Sequence, residues 1–166
     1  NKSTSTIGTG INGVVVDPTV PVALSSNIIT DLIQQPQELE YYCGPATAVM
    51  ILKSKQKSAS QSALVGYSDL QTAKWNGTPW YADDTNQYVM SRTLNKYLGI
   101  TYYCAEASPS ETTLKNHIIF DINKDYPLAA NINLSSTSPR PLFYRSGPLG
   151  HWFPIMGYKD YGNTIQ

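Results

Sequence analysis

Three side chains in this protein have the types and positions to do covalent chemistry together. Cys43 opens the run Cys43-Gly44-Pro45-Ala46, Gln37 stands six residues ahead of it on a polar loop, and His151 follows Gly150 much later. The thiolate is the reactive form of cysteine, and the N-terminus of a helix favours it through unpaired N–H groups and the positive end of the dipole. A neutral imidazole beside such a thiol would take its proton and later protonate a leaving amine. A glutamine amide next to the Cys43 backbone N–H would complete an oxyanion hole for a tetrahedral intermediate, a single donor being worth roughly 3–4 kcal/mol. Taken alone, Cys43 also fits a small buried residue opening a core helix, Gln37 a solvated side chain like Gln34 and Gln35, and His151 a histidine bonded at a strand edge. The other histidine, His117, sits mid-helix beside Ile118 and Ile119 and reads as structural.

The elements around these residues support the chemical reading. From Ala46 to Leu52 the sequence is apolar almost without a break, and Pro45 is tolerated in a first helical turn. A helix over 43–53, apolar nearly all round, is expected at the centre of the domain. A second short helix is expected over 60–66, followed by an aromatic turn over 75–81 carrying Gly77 and Pro79. From Thr85, the spacing of Val89, Met90, Leu94, Tyr97 and Leu98 predicts a helix capped by Asp83 or Asp84 and stopped by Gly99. Residues 101–104 read as a strand. Ser108, Pro109 and Glu111 form a capping box for a helix to about residue 123, burying Leu114, Ile118, Ile119 and Ile122. Strands are expected over 127–134 and 151–158, then a turn over 159–163 and the start of a strand at 164–166. Val14-Val15-Val16 is a further β-prone run in an extended N-terminal arm, residues 1–30, ahead of a domain spanning 31–166. Helices first and antiparallel strands after make an α+β plan, a helical layer packed on a small sheet.

Composition narrows the function classes. The protein has 166 residues, 41% hydrophobic and 14% charged, with twelve basic and twelve acidic side chains. This length suits one domain. The longest basic feature is the dispersed set Lys53, Lys55 and Lys57, which gives a nucleic-acid groove or an anionic membrane little support. No apolar stretch approaches the roughly 18 residues of a transmembrane helix. Two cysteines, Cys43 and Cys104, cannot build the usual four-ligand zinc site, and a bond between them is the alternative to a free nucleophile. Neither a metal nor an organic cofactor is needed. Low charge with many Ser, Thr, Asn and Tyr suits a secreted or cell-surface protein.

The segment 37–46, with Gln37, Cys43, Gly44, Pro45 and Ala46, resembles the active-site segment of the double-glycine-leader (bacteriocin-processing) peptidase-like cysteine peptidases. Gly150-His151-Trp152 followed by Gly157-Tyr158 is similar to that family's histidine strand. The resemblance covers about residues 30 to 166 and is nearest to a stand-alone, secreted, bacterial branch. It implies a papain-like fold, a peptide or protein substrate, Cys43 as nucleophile, His151 as general base and Gln37 in the oxyanion hole. Trp80, Tyr42 and Trp152 are the candidates to line the substrate cleft, with burial of such aromatics in the core an equal alternative. Family members also carry an Asp or Asn on the strand after the histidine strand, which here corresponds to roughly position 170. Asp160 lies about 25–30 Å along an extended strand from His151 and belongs at the turn. The orienting residue is therefore expected in a further C-terminal piece or from another polypeptide. A cell-wall amidase or acyltransferase would use the same Cys/His pair, and a non-catalytic binding module would keep the fold without turnover.

Overall fold

The computed structural model describes residues 24–82, 87–137 and 149–166. Helix α1, Cys43–Ser54, is buried along nearly its whole length, from Gly44 to Leu52 and again at Ser54. Its all-round apolar surface leaves no solvent-facing stripe, so the helix is packed on every side. Val49, Ile51 and Leu52 meet Val89, Leu94, Ile118 and Ile122 in one core that Trp152, Ile155 and Tyr158 close from the strands. Helix α2 runs Val89–Leu98 and ends on Gly99, whose φ of 70° is the left-handed stop expected there. Helix α3 runs Glu111–Asn123. The short helix expected over 60–66 is a single 3₁₀ turn, Ser62–Leu64.

Among the described residues, seven strands form three small antiparallel groups. Strand β1, Asn27–Ile28, pairs with β6, Gly157–Lys159, which pairs with β7, Thr164–Ile165. Strands β2, Tyr81–Ala82, and β3, Gln87–Tyr88, pair with each other. Strand β4, Leu128–Leu134, pairs over its full length with β5, Leu149–Ile155. The architecture is α+β, with the helical layer leaning on a small antiparallel sheet, as in papain-like folds. Among the described residues no helix is long and apolar enough to cross a membrane.

Four local expectations change, each for a visible reason. Helix α2 starts at Val89 because Gln87 and Tyr88 are held by β2. The expected Asp caps at 83 and 84 lie outside the described residues. Residues 101–104 form no strand. The Asn95 side chain grips the backbone of Tyr103 instead, accepting from its N–H at 2.9 Å and donating to its carbonyl at 2.7 Å. The cap of α3 moves from Ser108 to Ser110, whose Oγ accepts from the Thr113 N–H at 3.1 Å, and Glu111 pairs with Lys115. The strand expected over 151–158 is broken at Met156. There the N–H groups of Met156 and Gly157 both donate to the Gln166 carbonyl, two residues facing one as in a bulge.

Most of the N-terminal arm, including Val14-Val15-Val16, falls outside the described residues. Its last residues are built into the domain: Asn27 and Ile28 pair with Tyr158 and Gly157, and Ile29 is buried.

Candidate active site

Cys43 is the first residue of α1 and is partly buried. α-Helical geometry leaves the first-turn N–H groups of Cys43 and Gly44 without intrahelical acceptors, and Pro45 has none to leave unpaired. Gly44 is required by packing. A Cβ there would overlap the side chain of Thr78, which lies directly against the start of the helix. Thr78 is held in turn by its hydroxyl, 2.7 Å from that of Thr72, and by its carbonyl, which accepts from the Trp152 indole N–H at 3.0 Å. The end of α1 is thus pinned against the loop carrying Gly77 and Thr78, and that loop is pinned to β5.

The loop that leads into Cys43 is fixed from beneath by a residue the sequence did not single out. Gln61 is 3% exposed; its amide accepts from Glu38 N–H at 2.9 Å and donates to the Pro36 carbonyl at 2.9 Å. Gln37 itself points along the loop. Its Nε2 donates to the carbonyls of Leu39 at 3.0 Å and Glu40 at 2.7 Å, which occupies both amide protons. Tyr42 is buried, donates its N–H to the Leu39 carbonyl and meets the Tyr41 ring edge-on at 5.0 Å.

Cys43 opens onto a cavity of about 190 Å³. Asn76, Gly77 and Thr78 form one wall, and Trp80 and Trp152 line it as a stacked pair with centroids 5.5 Å apart. The remaining wall comes from the β4–β5 ladder, through Asn131 and Asn133 of β4 and Gly150 of β5. Register explains this set: Asn131 is opposite Trp152 and Asn133 opposite Gly150, so all four share one face of the two strands. Trp80 and Trp152 therefore border this cavity while Trp152 also belongs to the core, whereas Tyr42 and Gln37 are not among the cavity's lining residues.

His151 lies between Gly150 and Trp152, opposite Ile132. Alternation along β5 puts its side chain on the other face, where its ring stacks with Phe153 at a centroid distance of 6.3 Å. The structure thus brings Cys43, Trp80 and Trp152 to one cavity and sets His151 one strand face away. Burial favours the neutral imidazole and lowers the His151 pKa from its ordinary 6.5. His117 lies on α3, outside this cavity, and pairs with Glu106 at 2.9 Å. Cys43 and Cys104 are both free, and Cys104 is exposed, so the disulfide alternative does not hold.

Asn131 and Asn133 carried a readable signal: they alternate with Ile132 in an otherwise apolar strand segment, which marks a polar face. Gln61 carried none, since a buried glutamine looks like any other in a stretch rich in serine and glutamine.

The Peptidase_C39 like family matches the sequence over residues 29–166. No curated protein and no solved structure matches it.

Proposed function

We propose that this chain, which belongs to the Peptidase_C39 like family, is a cysteine peptidase that cleaves peptide bonds through an acyl-enzyme on Cys43. The observation that carries the reading is Cys43 itself: a free cysteine at the first position of a buried helix, opening onto a cavity. The Cys43 sulfur attacks the scissile carbonyl, a C–S bond forms, and the C–N bond breaks as His151 passes the thiol proton to the leaving amine. Water, losing a proton to the same imidazole, then hydrolyses the thioester and frees the acid. The N–H groups of the first turn of α1 stabilise the oxyanion, with Gln37 as the second donor once it gives up one loop carbonyl.

For this chemistry His151 must turn from the Phe153 face to the Cys43 face. A Cβ on Gly150 would meet no described atom within 4 Å, and the movement requires a shift in the local β4–β5 pairing. The stand-alone, secreted branch of the family is part of the same proposal and rests on the low charge of the protein. The test is hydrolysis of a mixed peptide library read by mass spectrometry. Wild type cleaves, Cys43→Ser loses at least about a thousandfold, and His151→Ala loses comparably. Equal product from all three proteins would reject the reading.

A second reading, a binding module on the same fold, is favoured by one observation, the Phe153-side position of His151. It predicts that the library peptides bind without being cut and that His151→Ala changes nothing.

A further inference from the structure

The cavity beside Cys43 has a wall that the Cys/His chemistry leaves unused. Asn131 and Asn133 project from one face of β4, and Asn76 projects from the opposite loop. All three are exposed, and none of their side-chain amides has a protein hydrogen-bond partner among the described residues, whereas Gln37 and Gln61 nearby have their amides engaged. The cavity has no charged side chain among its described lining residues, and its floor is the Trp80–Trp152 stack. Gly150, directly opposite Asn133, brings no side chain to the wall and would meet no described atom within 4 Å if it had one.

Spacing gives these amides a ligand. Residues i and i+2 of a strand are about 6.5–7 Å apart, and an extended peptide repeats the orientation of its peptide groups at the same interval. A carboxamide offers both a donor and an acceptor, the complement of one backbone carbonyl and one backbone N–H. We propose that Asn131 and Asn133 are substrate-binding residues that hold two alternate peptide groups of an extended, uncharged peptide segment, placing its carbonyl at Cys43. This rests on Cys43 being the nucleophile. The substrate class it adds is a peptide read by its backbone, with neutral side chains next to the scissile bond. Its charge preference concerns the Cys43 cavity, whose described lining has no charged side chain; Asn131 and Asn133 also border a larger cavity of about 1410 Å³ that carries Glu106, His117 and Asp121.

Two reagents separate recognition from reactivity. Iodoacetamide reports only the Cys43 thiol, whereas acetyl-Ala-Ala-Ala chloromethyl ketone must first lie across the cavity. Alkylation rates at Cys43 are measured by peptide mapping for wild type, Asn131→Ala, Asn133→Ala and the double variant. Each single substitution is expected to slow the ketone by about fivefold to tenfold, the scale of one net hydrogen bond, with the iodoacetamide rate unchanged. Acetyl-Ala chloromethyl ketone, too short to span both amides, should respond to at most one of the two substitutions. Equal slowing of ketone and iodoacetamide would place the effect on the thiol and overturn the proposal, and so would unchanged rates with both. If iodoacetamide leaves wild-type Cys43 unlabelled while labelling Cys104, the nucleophile assignment itself fails and takes this inference with it.

Discussion

The two halves of the site are held in different ways. On the Cys43 side, position is set by several independent contacts: the all-round burial of α1, the close packing of Gly44 on Thr78, and the buried Gln61 under the preceding loop. On the His151 side, the ring is placed by the register of the β4–β5 ladder and by its stack on Phe153, and a one-residue slip of that ladder would reverse its face. A bulge sits at Met156, between β5 and β6. The place of the proposed nucleophile is thus set by the core, and that of the proposed base by the register of one strand pair.

Breaking the Cys43 side should have the larger effects. Gly44→Ala drives a methyl into Thr78 and is expected to destabilise the fold by about 1–3 kcal/mol, the usual range for overpacking. Thr78→Gly should restore much of that loss in the double variant, because the overlap involves both the hydroxyl and the Cβ of Thr78. Urea denaturation of the four proteins checks it, and additive losses would show that the contact is not the cause. Next comes Gln61→Ala. It leaves Glu38 N–H and the Pro36 carbonyl without their partner and should cost about 1–3 kcal/mol. Hydrogen exchange over residues 36–42 should quicken more than exchange in α1, since α1 keeps its own packing.

The His151 side should respond weakly, and to pH. Burial lowers its folded-state pKa below the ordinary 6.5, so the folded protein binds this proton less readily than the unfolded state does. Above 6.5 both states carry neutral imidazole and the full stability is present. It is lost as pH falls from 6.5 through the folded value, where the unfolded state is protonated first. Denaturation midpoints between pH 7.5 and 5 should show a decline in wild type that is smaller in His151→Gln. Identical declines would mean that other groups are responsible.

The same contrast decides what could be read from the sequence. Helix α1 was legible because its signal is redundant: a continuous apolar run, a proline where only a first turn accepts one, and a cysteine at the start. The end of α2 was legible from Gly99. Its beginning was not, since Gln87 and Tyr88 pair in a local hairpin with Ala82 and Tyr81, which helical spacing does not encode. Residues 101–104 have the composition of a strand, but the Asn95 side chain takes the backbone N–H and carbonyl of Tyr103. Strands β4 and β5 were legible from their apolar runs. The side of β5 on which His151 falls was out of reach, because alternation fixes which residues share a face and not which face meets Cys43. The amide wall of Asn131 and Asn133 was within reach from the Asn-Ile-Asn alternation.

The central claim is that Cys43 is a nucleophile activated by His151, and the protein holds its own control in Cys104, a free and exposed cysteine. The decisive measurement is the iodoacetamide labelling rate of both cysteines at pH 6, in wild type and in His151→Ala. The account predicts that Cys43, although the less exposed, labels faster than Cys104 in wild type and falls to or below it in the variant. Cys43 labelling more slowly than Cys104 in both proteins would contradict it.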